Sequence, residues 1–517
     1  MKKDLQKYLM KERPGMRRFS KWSALSLLLT SLLVVGCKDH NLEDTDYPGL
    51  QVPAGFKVEK VVGGLQLPTS VTWDNQGNMY VVEAGGGLEP DKLAPLRIMK
   101  VSKGQATVAV DLTGKGINPA VVGIVWHNGA FYITHRADDL TGAVSRVTMD
   151  GQVQNLFKGI IDSQAEHQIN DIRVGPDGKM YVAVGLAGNA AVMDMSVAPW
   201  IMRSPNVHAT PCQDIVLIGR NFKTPDFRTE TTSDTVLTGA FLPYGTPSSP
   251  GQVIKGMKLC GGSILSFDPN NAMATIETHA WGFRNLIGLA WNQTTGTMYA
   301  AENGYDVRGA RPVKDEIDAT LRVQKGMWYG VPDFSAGRRP LTDPAFEVPD
   351  SLQAMVVMNG QPQGKNLGFV IDHQASGLTP PDPSVVVGRH EFNSSPSLVD
   401  VAPASWGNMA GRLFVAEWGD LAPPTNPLRG KKPAGFQIVM INPASGQLEP
   451  FLRNTTPGPA SMQGMEGKGL ERPFGVRFGP DGALYIVDYG VVKIDMSKRP
   501  PYVYQPGTGV IWKVSKM

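Results

Sequence analysis

The sequence predicts an all-β protein, a six-bladed β-propeller with large insertions between strands, and three observations carry that reading. One hairpin pattern recurs six times: alternating apolar residues, a turn of Asp, Asn and Gly, then a second apolar strand opening near an aromatic. The chain is rich in turn formers, with 58 Gly and 40 Pro in 517 residues, which favours many short strands over long helices. Its balance is globular, 42% hydrophobic and 19% charged, with length enough for a sizeable core. A lone hairpin cannot bury its own face, so hairpins repeated in this way stack radially into a closed ring.

The copies run in order. They read PTSVTWDNQGNMYVVEAG from Pro68, AVVGIVWHNGAFYITHR from Ala120 and INDIRVGPDGKMYVAVG from Ile169. They continue as NLIGLAWNQTTGTMYAAENG from Asn285, SLVDVAPASWGNMAGRLFVAEWG from Ser397 and PFGVRFGPDGALYIVDYG from Pro473. Further strand-like runs follow, among them LRIMKVSKGQATVAVDL from Leu96, AVSRVTMDGQVQNLFKG from Ala143 and FQIVMINPASGQLEPFL from Phe436, which gives four strands to a blade. FKVEKVV from Phe56 and GVIWKVSK from Gly509 are expected to complete one blade between them, closing the ring and removing its open edges. The intervals after the third and fourth copies exceed one blade, and residues 187–258 and 333–390 read as large loops.

The N-terminus reads as an export leader. Eight Lys and Arg residues, from Lys2 to Lys21, precede an apolar run from Ala24 to Val35, too short for a stable membrane anchor. It ends in VVGC, which resembles the lipobox of bacterial lipoproteins, with Cys37 as the lipidated residue. The expected organisation is therefore a signal peptide over 1–36, a lipid-anchored tether over 37–52 and a propeller over 53–517. The protein is expected in the bacterial cell envelope, held by its lipid, with an outer-membrane site preferred. Cys212 and Cys260 remain, and outside the cytoplasm such a pair forms a disulfide. Closing a loop of about fifty residues, it contributes roughly 3–4 kcal/mol through loop-closure entropy. With no CxxC or CxxCH motif, thiolate metal sites and covalent haem are not expected, and the remaining histidines show no zinc-ligand spacing. The net charge of +3, with no basic block in the body, gives no footprint for nucleic acid.

Three stretches carry chemistry. In AEHQIND, His167 lies just before a strand, at a blade edge, where an imidazole is placed to take a proton near neutral pH. In WGFRNLIGLAW, Arg284 and Asn285 precede the inner strand of another blade. In AAENGYDVRG, Gly304 and Tyr305 follow a strand and can present backbone carbonyls. Taken singly, each has an ordinary alternative: a structural blade-edge histidine, a ring-closing arginine, a turn.

Taken in order, Glu166-His167-Gln168, the GPDG turn from Gly175, Arg284-Asn285, Glu302-x-Gly304, Asp315-Glu316-Ile317 and Tyr329-Gly330-Val331-Pro332 resemble the soluble quinoprotein glucose dehydrogenases and the related aldose sugar and sorbosone dehydrogenases. The resemblance spans most of residues 53–515. It implies a six-bladed propeller using pyrroloquinoline quinone (PQQ) and calcium. By position, it makes His167 the general base and sets Arg284 and Asn285 against the quinone oxygens. The carbonyls of Gly304 and Tyr305 become calcium ligands. Arg472, with Lys431 or Lys432, meets the PQQ carboxylates, and Glu316 and Tyr329 hold a second, structural calcium. Asn118, in NPAVVG, stands where the glucose enzymes carry a Gln, and is assigned to the cofactor with it. Other departures are Tyr305 where relatives carry Pro, Phe474 in place of a second arginine, and the insertion containing Cys212.

The activity expected is oxidation of an aldose, or a related polyol or aldehyde, with hydride passed to the quinone and electrons to an external acceptor. Two alternatives stand beside it: a calcium-dependent propeller lactonase, and an envelope propeller that binds glycan or protein without catalysis.

Overall fold

The turn chemistry explains why the hairpins form. The computed structural model describes residues 42–517, apart from 48, 88, 90, 232 and 431. In the third repeat, Asp177 accepts the backbone N–H of Lys179 at 3.2 Å and the hydroxyl of Tyr181 at 3.0 Å. Asp481 does the same for Ala483 and Tyr485 in the sixth, and Asp74 for Asn78 and Tyr80 in the first. One carboxylate therefore closes the turn and fixes the first aromatic of the returning strand. Gly178 and Gly482, with φ of 78° and 76°, take the left-handed position that each turn requires.

Six antiparallel blade sheets follow, five of four strands and the fifth blade extended to six, each containing one of the six predicted hairpins. The fold is a six-bladed β-propeller. Alternation along each strand sends side chains to the two neighbouring blades. In Met79–Ala84, Tyr80 and Val82 pack towards blade 2, whereas Met79 and Val81 pack towards blade 6. The same division fills each junction between blades with its own apolar cluster.

The ring closes as expected. Phe56–Leu65 pairs antiparallel with Gly509–Lys516, from Phe56 opposite Lys516 to Leu65 opposite Gly509, and completes blade 6. The segment before it departs from the tether reading. Leu50–Pro53 pairs on the outer edge of blade 5, with Leu42–Asp44 beside it, because Leu50 and Val52 bury against Phe451 and Leu452. Cys37 and the leader lie outside the described residues.

The two long intervals are not loops, which corrects the sequence reading. Asn221–Pro225, from the excursion within blade 3, pairs with Met355–Met358, from the excursion within blade 4. Thr235–Gly239 and Gln361–Gly364 flank them in a separate four-stranded sheet. Its core joins Phe222, Phe241 and Val356 to Trp328 and Phe334. Each excursion forms a short local hairpin, Asn221–Pro225 with Thr235–Gly239 and Met355–Met358 with Gln361–Gly364 across Asn359-Gly360, but the pairing that joins the two hairpins lies far apart in the chain. Cys212 and Cys260 are disulfide-bonded within the first excursion, and the loop they close contains Asn221–Pro225 and Thr235–Gly239.

The ring is also braced across its centre. Arg477, on the inner strand of blade 6, donates Nη2 to both oxygens of Asp171 in blade 3 at 2.7 Å, and Nη1 to the carbonyl of Val399 in blade 5. Asp171 also accepts the N–H of Leu289 in blade 4. All of this is buried.

Two outcomes follow from these contacts. Arg477→Met leaves an uncompensated buried carboxylate and is expected to cost about 3–5 kcal/mol in urea denaturation, whereas Arg477→Met with Asp171→Leu costs much less. Replacing both Cys212 and Cys260 with Ser is expected to lower stability by up to about 4 kcal/mol without changing the far-ultraviolet spectrum; equal stability would show that the inserted sheet is held by packing alone.

Candidate functional site

The six innermost strands converge on a cavity of about 450 Å³, to which the blades contribute Thr69, Val122, Asn170, Ile287, Ser397 and Phe474 at or beside the strand starts. Part of the wall is aromatic. Trp200 comes from the short helix Ala198–Arg203, Trp418 from blade 5, and Tyr502 and Tyr504 from a hairpin in which Tyr502–Tyr504 pairs with Val492–Ile494. The lining also includes His167, Arg284, Asn285 and Gly304, so the structure brings four of the sequence-predicted residues to one place.

His167 is held by its surroundings rather than by its own strand. Buried Arg136 donates Nε to the carbonyl of Ser163 at 2.7 Å and Nη2 to that of Ala165 at 2.9 Å, pinning the segment that enters the site. Behind it, Gly185 has no room for a side chain: a Cβ there would lie 2.5 Å from the Cβ of His167. The Nδ1 of His167 stands 2.8 Å from the carbonyl oxygen of Leu186. A carbonyl only accepts, so Nδ1 carries the proton and Nε2 keeps its lone pair. Burial, then the positive charges of Arg284 and Arg308, hold this imidazole well below its ordinary pKa of 6.5. It is a neutral base.

Arg284 is anchored at every face. Its Nε donates to the carbonyl of Asn189 at 3.0 Å, and its Nη2 to Asn189 Oδ1 and Asp306 Oδ2, both at 2.8 Å. The next residue, Asn285, accepts a 3.4 Å hydrogen bond from Asn170. Gly304 is fixed by its N–H to Asp318 Oδ1 at 2.7 Å, and a Cβ on it would lie 2.2 Å from the carbonyl oxygen of Ile317. Burial pushes the Asp318 carboxyl up to about 6 against its backbone donors, with Asp306 adding to the rise. Three buried polar atoms of the lining, Asn303 Oδ1, Thr425 Oγ1 and Trp418 Nε1, have no partner among the described residues.

The remaining predicted residues lie elsewhere. Asn118 faces away: its backbone pairs with Arg136 and its amide donates to Asp138 at 3.0 Å. Lys432 is exposed and outside the lining. Arg472 backs Trp418 instead of lining the cavity. Its guanidinium lies 4.3 Å from that ring and 4.9 Å from Phe436, and donates to the carbonyls of Gly419 and Asp420. Stacking and carbonyl bonding satisfy it where it is. The side chain of Tyr305 turns outward to the carbonyl of Phe334, leaving only its backbone for the site. Glu316 and Tyr329 also lie outside the lining. Glu316 packs against Gly304 and accepts the N–H of Ala336, and burial raises it to about 8. The Tyr329 hydroxyl donates to the carbonyl of Arg322. Its ring lies under buried Arg338, which pairs with Glu302 and supplies a positive charge from the chain itself.

Sequence reasoning missed Glu89, Asp306 and Arg308. Glu89 is raised by burial beside Tyr504. Arg308, in the lining, bridges Asp306 and Glu166. The available signal was the stretch from Asp306 to Lys314, which separates the two halves of a motif.

No protein-family model matches this chain, and no curated protein matches it. Solved structures do. A Trichoderma reesei protein of carbohydrate-active enzymes family AA12, known in iodide and calcium structures, superimposes with a TM-score of 0.51. It covers 92% of this chain and 99% of its own, at 13% identity. The holo form of the pyranose dehydrogenase PQQ domain from Coprinopsis cinerea gives 0.48, at 15% identity over 90% of this chain and 97% of its own. The PQQ-bound aldose sugar dehydrogenase from Streptomyces coelicolor gives 0.46, at 15% identity over 90% and 99%. The likeness is one of fold.

The neutral state of His167 makes a prediction with a definite sign. The unfolded chain binds this proton near pH 6.5 and the folded chain only well below it, so stability falls as pH drops below 6.5. One such group contributes at most about 1.4 kcal/mol per pH unit. His135, held at about 4 by burial, adds a slope of the same sign. His167→Gln is expected to flatten the fall in urea denaturation between about pH 7 and pH 5. An unchanged slope would show that the folded imidazole protonates like the unfolded one.

Proposed function

We propose that this protein is a quinoprotein oxidoreductase that takes hydride from the hydroxyl-bearing carbon of an aldose, or of a related polyol or aldehyde, and passes the electrons to an external acceptor. The observation that carries the reading is the meeting, in one cavity, of a neutral His167, the Arg284-Asn285 pair and Gly304, which the sequence resemblance had placed on three separate motifs. The lining fits the group. Its aromatic wall suits a planar ring system, its three orphaned polar atoms await partners, and Arg499 lines it without a carboxylate partner among the described residues. Oxygen donors suit calcium: the carbonyls of Gly304 and Tyr305, with Asn303 Oδ1 beside them. The AA12 protein of like fold has a calcium structure.

When bound, the quinone supplies the hydride acceptor and calcium the Lewis acid beside it. The chain supplies the rest. His167 Nε2 accepts the substrate hydroxyl proton as the C–H bond gives up its electrons, and the Leu186 carbonyl stabilises the imidazolium through Nδ1. Arg284, immobilised by Asn189 and Asp306, presents fixed positive charge without reorganisation. Tyr489, Tyr502, Tyr504 and Trp200 line the cavity with apolar ring faces. A metal-dependent hydrolase would hold its ion with converging carboxylates, yet of the four in the lining Glu166 and Asp306 are paired with Arg308 and Arg284 and Asp318 accepts the backbone N–H groups of Gly304 and Ser395, which leaves Glu89.

Export and lipid attachment at Cys37 belong to the same proposal and rest on the leader sequence. Among the described residues no helix is long and apolar enough to cross a membrane.

Titration with PQQ, with and without calcium, is expected to raise the melting temperature, by about 2.7 kcal/mol of linkage at a hundredfold excess over Kd. Dye-linked oxidation should then appear across part of a sugar panel. His167→Ala should cut turnover by roughly 10²–10⁴ while leaving quinone binding intact. Arg284→Ala should weaken both binding and stability, since it removes one of the two guanidiniums paired with buried Asp306 and the donors to Asn189. Absence of binding and of oxidation across the panel would reject the proposal.

A further inference from the structure

We propose that Arg308 is the positioning residue that keeps His167 a free base, by drawing the Glu166 carboxylate away from the imidazole. The use made of that base rests on the quinoprotein reading; the arrangement itself does not depend on what is bound.

Glu166 immediately precedes His167, and its Oε1 stands 3.7 Å from Nε2, the nitrogen that keeps its lone pair. Both side chains are largely buried. An ionised carboxylate so placed favours the imidazolium form, which has no lone pair with which to accept a substrate proton. Arg308 opposes this at the same oxygen. Its Nη2 donates to Glu166 Oε1 at 2.7 Å and its Nη1 to Oε2 at 3.3 Å, a fork on one carboxylate. Its own geometry is fixed by Nε to Asp306 Oδ2 at 2.9 Å and by Nη1 to Ser196 Oγ at 3.1 Å.

The groups that face the imidazole come from three places. Glu166 lies on its own segment, Arg284 leads the inner strand of blade 4, and Asp306 and Arg308 follow that blade's second strand. Gly185 and Leu186, behind the ring, carry no charge. Two carboxylates and two guanidiniums thus alternate as Glu166, Arg308, Asp306 and Arg284. Removing Arg308 alone breaks the alternation and frees the carboxylate nearest Nε2. A merely structural arginine would matter for folding and not for the proton affinity of a neighbour 141 positions away in sequence.

The test is a titration of the whole purified protein labelled with ¹³C at histidine Cε1, the His167 signal being assigned by its loss in His167→Gln. Arg308→Met is expected to raise the His167 midpoint by about one to three pH units. Arg308→Lys, which keeps a point charge, should hold it near the parent value. Arg308→Met combined with Glu166→Gln should return it to the parent value, because the freed charge is gone. If Arg308→Met lacks a native near-ultraviolet spectrum, Arg308→Gln carries the same expectation. An unmoved midpoint in the folded Met or Gln variant, or one that stays high in the double variant, overturns the proposal. No cofactor is added, so the result stands apart from the PQQ titration. A shifted midpoint without quinone binding would uphold Arg308 and reject the oxidoreductase, and the converse would do the reverse.

Discussion

The buried pair between Asp171 and Arg477 is the contact on which the ring depends. It joins opposite blades, and its spare hydrogen bonds reach Leu289 and Val399, so four of the six blades meet at one charge pair. Desolvating both ions is costly, and the double bond to Asp171 together with the backbone partners offsets that cost only in this geometry. Arg173 and Asp400 repeat the device one step outward, with Phe478 donating to the same Asp400. The apolar clusters hold neighbouring blades together; this charge pair relates blades that never touch face to face. The starts of the inner strands, and with them His167 and Arg284, take their spacing from it.

The cavity shows a similar economy. Its central acids and arginines are paired, Glu166 with Arg308 and Asp306 with Arg308 and Arg284, and behind the lining Glu302 pairs with Arg338. The orphans are instead neutral, an amide oxygen, a hydroxyl and an indole N–H. A site built this way has fixed dipoles and fixed charges before anything enters. The lone pair of His167 is its one unprotonated base held neutral by burial and by two neighbouring cations.

The hairpins were legible in the sequence because each is a local event. Asp177 and Tyr181 are four residues apart and solve the turn between themselves, so their pattern survives in the letters. The order of His167, Arg284 and Gly304 was legible because each sits at a strand boundary, where the repeat predicts the mouth. Arg472 was misplaced because its position is decided by Trp418 and Phe436, which lie 54 and 36 residues earlier and announce nothing in advance. Arg308 and the pairing of Asn221–Pro225 with Met355–Met358 were invisible for the same physical reason: the two partners are distant in the chain, and a single hairpin or cation carries no mark of what it will meet.

Blade 6 takes its outer strand from near residue 60 and its neighbour from beyond residue 508. Synthesis therefore delivers Phe56–Leu65 first and leaves it waiting through five complete blades. Until Gly509–Lys516 emerges, Val81 and Met99 on one side and Phe451 and Leu452 on the other face a gap that Ile511, Trp512 and Val514 later fill. Every earlier blade can form as it is made, but the circle itself is a last-minute event with very distant contacts. A nascent chain halted before Gly509–Lys516 is left with two apolar faces and unpaired edges, the surfaces that chaperones and proteases bind. The strand Gly509–Lys516 thus serves as a checkpoint on folding, since only a chain that includes it hides these surfaces.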